Sequence, residues 1–154
     1  MAAQQSADSK VVFRTVHEDG SVHVETPWAT ALGNDQYQID NSLWYAYGVS
    51  WQDIVYAPMD EGEGRAVFHH LVSKSGHRTV RIMFEDAVSP GTASHETLQK
   101  LVAVGCSYEG AWGTLFSVDI PPGVGMDDVR SLLMAEDVQW EHADPDYDTL
   151  FPGS

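Results

Sequence analysis

The best cationic cluster in the chain is His77, Arg78 and Arg81, which takes two of only five arginines. On a strand, His77, Thr79 and Arg81 share a face, opposite Val80 and Ile82. The plainer reading pairs these charges with nearby acids such as Glu85, which a surplus of carboxylates makes easy. The sharper reading holds the carboxylate or phosphate of a small ligand between His77 and Arg81, against Tyr45 or Tyr47, where two halves of the chain meet. His77 would act as acid or base and Arg81 as anion anchor. Trp44 and Arg78 would help to line that site. Asp53 would accept a hydrogen bond from the ligand, unless it is a solvated acid at a strand end.

Other chemistries lack their partners. Seven histidines do not make a metal site by themselves. His17 and His23 fall on opposite faces of the hairpin described below, and the neighbours His69 and His70 point to opposite sides of a strand. No metal or other cofactor is expected, because no ligand spacing is recognisable. His95-Glu96 opens a helix but lacks the second histidine of a zinc protease. There is no Gly-x-Ser-x-Gly elbow and no glycine-rich phosphate loop. Pro122-Gly123-Val124-Gly125 precedes a helix, yet Asp127 and Asp128 at its start repel phosphate. The run from Asp144 to Asp148 imitates a calcium loop without its glycine and terminal glutamate. Cys106, the single cysteine, excludes an intramolecular disulfide and fits a reducing cytoplasm, with burial as a small hydrophobe its plainer fate.

Charge narrows the classes of partner. Eight Lys and Arg against 23 Asp and Glu leave −15 on 154 residues, which repels nucleic acid and anionic membranes. No long uncharged apolar run could span a bilayer. Residues 119–154 hold nine acids and one base, Arg130. These acids either keep a small protein soluble or meet a basic partner, with Asp127, Asp128, Glu136, Asp137 and Glu141 as candidate contacts.

The elements that would position these residues begin with a hairpin over residues 10–28, turning at Asp19-Gly20. That turn pairs His17 with Val22, Thr15 with Val24, Phe13 with Thr26 and Val11 with Trp28. It gathers Val11, Phe13, Val22, Val24 and Trp28 on one face and sets Arg14 opposite Glu25. Further strands are expected over residues 36–39, 43–47, 53–57 and 65–73, making a small barrel or rolled sheet. Residues 43–56 carry five aromatics; on a strand, Trp44 and Ala46 face one way, Tyr45 and Tyr47 the other. Coverage by the rest of the chain or a partner platform would both account for them.

From Gly76 the pattern changes to strand 78–84, a helix capped by Ser94 and stopped by Gly105, strands 106–109 and 114–120, a helix opened by Asp127-Asp128, and strand 138–142. That order predicts a ferredoxin-like βαββαβ unit. The expected fold class is therefore α+β, a strand-rich, barrel-like unit over residues 10–75 packed on a ferredoxin-like unit over 76–144. Residues 1–9 are a mobile lead-in without signal-peptide character, and 145–154 a loose exit.

Three runs carry a family resemblance: Glu25-Thr26-Pro27-Trp28-Ala29, Ala46-Tyr47-Gly48-Val49-Ser50 leading into Asp53-Ile54-Val55, and Ser75-Gly76-His77-Arg78-Thr79-Val80-Arg81. Through them the chain resembles a bacterial family of small acidic proteins, domain of unknown function 4265, over most of residues 10–142. The resemblance implies a bacterial, cytoplasmic protein and supplies no substrate. The leading expectation is an acidic, non-enzymatic binding protein, immunity-type or accessory, that recognises a basic protein or peptide. The alternative is a small enzyme or small-molecule-binding protein of a biosynthetic pathway, with its site at His77 and Arg81. Oligomeric state is not legible.

Overall fold

The structure, a computed structural model, describes residues 7–111 and 113–153. The fold is α+β, and the described residues divide into two compact units, one ending at Ser75 and one beginning at Gly76. Most of the expected lead-in, residues 1–6, lies outside the described residues, and Ser9 already opens the first strand.

The first unit contains β1 (Ser9–Val16), β2 (Val22–Glu25), β3 (Trp28–Gly33), β4 (Gln36–Ile39), β5 (Ile54–Tyr56), β6 (Met59–Asp60), β7 (Arg65–Val67) and β8 (His70–Ser73). They form one sheet in the order β6-β7-β1-β3-β4-β5-β8, with β2 paired to β1. Five inter-strand steps separate β7 from β8 in that order, about 24 Å if the sheet were flat. Val67 and His70 are three residues apart, a reach of at most about 11 Å. The sheet must therefore curl, and it does so as a half-barrel around Val11, Phe13, Ala29, Ile39, Leu43, Val49 and Val55. Phe68 and His69 make the crossing: the Phe68 N–H donates to Val12 and the His69 N–H to Tyr56. The single strand expected over 65–73 is thus two strands that pair with different neighbours.

The hairpin forms in a register one residue away from the expected one. Val16 faces Val22, Thr15 faces His23, Arg14 faces Val24 and Phe13 faces Glu25. The reason lies in the turn. Gly20 takes a φ of 86° and its N–H bonds the carbonyl of His17, while His17 bonds Ser21. That is a three-residue loop with glycine in the left-handed position, and not a two-residue Asp-Gly turn. A one-residue slip exchanges the faces. Val16, Val22 and Val24 are exposed, and Glu25 goes inward with Phe13. Arg14 then pairs with Glu63 and not with Glu25.

The second unit contains β9 (Arg78–Met83), α1 (Ala93–Ala103), β10 (Ser107–Ala111), β11 (Leu115–Ile120), α2 (Met126–Ala135), β12 (Gln139–Asp144) and α3 (Tyr147–Leu150). Its four strands run β10-β11-β9-β12, every pair antiparallel. Val80, Ile82, Phe116, Val118 and Ile120 pack with Leu98, Leu101, Val129 and Leu133 of the helices. The N-cap of α1 is Thr92, whose hydroxyl accepts the His95 N–H; Ser94, expected there, lies inside the helix. The helix ends at Val104, and Gly105 follows at φ 111°. The sheet face bearing Thr79, Arg81, Ser117 and Asp119 is polar, and all four are buried.

Candidate functional site

His77 precedes β9, and its Nδ1–H donates to both oxygens of Asp119 on β11, each at 2.9 Å. Burial raises the Asp119 carboxyl above its usual range, and the His77 pairing opposes that rise. The two make a carboxylate-oriented imidazole, the arrangement that fixes a histidine's tautomer in acid–base sites. Arg81 is 2% exposed and its Nε donates to Glu141 Oε1 at 2.9 Å. Its partner is therefore Glu141 of β12, not Glu85. Arg78 is spent on structure: its guanidinium donates to the carbonyls of Pro121 and Val124, holding the chain that enters α2. Cys106 is buried, and burial followed by the charge of Asp119 pushes its thiol up to about 11. Such a thiol is protonated at neutral pH and is no nucleophile.

In the first unit, the strand expected over 43–47 is absent because a side chain claims its backbone. Glu25 is 8% exposed, and its carboxylate accepts the N–H groups of Trp44 (2.6 Å), Tyr45 (2.9 Å) and Ala46 (2.9 Å). Three consecutive N–H groups turned toward one anion cannot also serve a β-ladder. Trp44 and Tyr45 are half-buried and Tyr47 is 43% exposed, so strand alternation does not sort them. Asp53 is fully buried and accepts the N–H of Ser50 and of Ser75 as well as the Lys74 ammonium. It is a structural hub, not a solvated strand-end acid.

The slipped register also brings His17 and His23 together, Nε2 to Nδ1 at 2.7 Å, with Tyr45 stacked 4.0 Å from His23. His69 and His70 meet as well, at 2.8 Å, because His69 lies between strands. Expecting either pair on opposite faces was incorrect. The ring centres are 4.8 and 5.0 Å apart. Two nitrogens bound to one tetrahedral metal at about 2.0–2.1 Å would stand about 3.3 Å apart, whereas these pairs approach to 2.7 and 2.8 Å. A collinear N–H···N bond of this length puts the ring centres about 5 Å apart. Both pairs are hydrogen bonds in geometry, and no cluster of three potential metal ligands occurs among the described residues.

The acids of the second unit sort into separate places. Met83, Phe84, Glu85, Asp86, Glu136 and Asp137 line part of a cleft of about 540 Å³ beside the start of α1. No lysine or arginine lines it. Glu136 caps the end of α2 and reaches α1, accepting from Thr97 (3.2 Å) and Lys100 (2.9 Å); the Lys100 bond leads the effects that hold its carboxyl below the usual range. Asp127 and Asp128 sit in the first turn of α2, a whole helix of about 15 Å away from Glu136. Asp127 pairs with Arg130 at 2.7 Å. Glu141 lines a separate hollow of about 250 Å³ with Arg81 and Trp140. Of the five acids singled out in the sequence, only Glu136 and Asp137 share a cavity among those described. Glu85 and Asp86, missed as contacts, join them because the loop after β9 and the end of α2 converge in space.

A family model described as a domain of unknown function (DUF4265) matches residues 25–143. The chain belongs to the DUF4265 family. No curated protein matches it. Among solved structures, the DUF4265 chain is similar to a crystal structure of a hypothetical protein from Neisseria gonorrhoeae. Identity is 16% and the TM-score 0.75, covering 96% of this chain and 99% of that one. At that identity the likeness speaks to the fold. The matched region begins at Glu25, the cradle carboxylate, and includes His77, Asp119 and the cleft acids. No helix among the described residues is long and apolar enough to cross a membrane.

Proposed function

We propose that this DUF4265 protein is an acidic, non-enzymatic binding protein, immunity-type or accessory, that docks a basic protein or peptide. The observation that carries the reading is the cleft of Glu85, Asp86, Glu136 and Asp137, which no basic side chain lines. An arginine or lysine entering it would meet carboxylates from two elements above the apolar Met83 and Phe84. Charge in such a surface acts mainly on encounter rate and partner choice. The pairing of Arg81 with Glu141 supports the same reading, because it engages the proposed anion anchor. We further read the second unit as ferredoxin-like, on the strand order β10-β11-β9-β12 with a helix in each crossover. A cytoplasmic location is inferred from the single unpaired cysteine.

The test is association with an immobilised Arg/Lys-rich peptide by surface plasmon resonance. The triple variant Glu85→Gln, Asp86→Asn, Asp137→Asn spares the structural Glu136. It is expected to slow association at least about tenfold at low salt, with little change in dissociation. Unchanged association at low salt would refute the docking role.

A second reading is favoured by one observation, the Asp119-oriented His77. Under it the protein is a small enzyme or small-molecule-binding protein, and His77 is its acid or base. Loss of turnover in His77→Ala, with peptide binding intact, would select it.

A further inference from the structure

Two buried side-chain polar atoms stand without a partner among the described residues, Arg130 Nε and His142 Nδ1. They belong to one neighbourhood. The Arg130 guanidinium carbon lies 5.3 Å from the centre of the Phe151 ring, and the His142 ring centre lies 6.1 Å from the same point. Trp140 (4.8 Å) and Tyr147 (6.3 Å) stand against His142, which is 6% exposed. Arg130 lies on α2, His142 on β12, and Tyr147 and Phe151 on the C-terminal segment. Across the sheet the partner of His142 is Val80 of β9, apolar and fully buried. An unpaired buried donor costs free energy unless something occupies it.

We propose that Arg130 and His142 form a binding site for a small oxyanion, a phosphate or carboxylate group, beside the aromatic C-terminal segment. Arg130 Nε–H can only donate, and its Nη1 is already committed to Asp127 at 2.7 Å. His142 Nδ1 donates whenever that nitrogen carries the proton. An oxyanion accepts from both, and the Asp127 carboxylate that already holds Nη1 has a side chain 92% exposed, where water and salt screen its repulsion of the anion. Burial first, and the charge of Arg130 second, hold the His142 imidazole below its ordinary value. An anion in contact with both reverses the second effect, so binding draws a proton onto His142 and strengthens as pH falls. A water molecule would meet the same two atoms while adding no charge, and would leave the titration where it is. This site is independent of the acidic cleft, and its failure leaves the docking proposal standing.

The test uses the full chain and two probes, inorganic phosphate and acetate, each against chloride at matched ionic strength. The His142 ring resonances are followed by NMR from pH 5 to 8. A bound oxyanion raises the His142 midpoint by about one pH unit, which is tenfold tighter binding to the protonated ring. Arg130→Lys keeps the charge and loses the Nε–H, and is expected to weaken binding at least about tenfold. A midpoint unmoved by tens of millimolar phosphate and acetate means that water alone meets the two atoms, and overturns the proposal. Equal binding by Arg130→Lys overturns it too. The wild-type titration decides the question even if the variant does not fold.

Discussion

The Glu25 cradle makes a sharp prediction about stability. In Glu25→Gln the side chain keeps its length, but one carboxylate oxygen becomes an NH2 group. In the wild type, Oε2 serves two N–H groups, those of Tyr45 and Ala46, and Oε1 serves Trp44. The amide oxygen of glutamine would sit where two donors point, leaving its NH2 facing the Trp44 N–H. One charge-assisted bond is lost and two become neutral, each change being about 1 kcal/mol or somewhat more. Trp44 and Tyr45 are only half-buried, and water recovers part of the loss. The expected cost is about 2–4 kcal/mol, a large share of the roughly 5–15 kcal/mol that ordinary domains have. For a chain of this size that lowers Tm by about 5–12 °C. Urea and thermal unfolding measure it, with Glu18→Gln, an exposed acid, as the control for lost charge. Hydrogen exchange at residues 44–46 should accelerate in Glu25→Gln. A Tm within about 1 °C of wild type, with those amides still protected, would refute the cradle as the reason this segment leaves the sheet.

Cys106, with its thiol at about 11, is expected to react with a thiol-specific disulfide reagent at pH 8 at least about a hundredfold more slowly folded than unfolded, because the thiolate is the reacting form; similar rates would contradict this. Gly105→Ala is expected to cost about 1–3 kcal/mol, since φ is +111° and the new Cβ would lie 2.8 Å from Val124 Cγ2. Gly123→Ala, with nothing within 4 Å and no positive φ, serves as its near-neutral partner in the same melt.

Local pattern determined much of the second unit. Val80, Ile82, Phe116, Val118 and Ile120 alternate, Leu98 and Leu101 recur at helical spacing, and Gly105 stops the helix it follows. All of these are short-range signals that a single chain carries by itself. The acidic charge was equally legible. What tertiary structure alone decided was which backbone groups had competing partners. Residues 43–47 alternate as a strand should, yet Glu25, about twenty residues earlier, takes their N–H groups. The hairpin shows the same limit: Asp19-Gly20 marks a turn, but Gly20 in the left-handed position selects a three-residue loop, and one residue of slip moves Glu25 inward and joins His17 to His23. The gathering of Glu85 and Asp86 with Glu136 and Asp137, and of Arg130 with His142 and Phe151, depends on contacts between elements far apart in sequence. Such contacts are set by how a sheet and its helices pack, and no local spacing encodes them.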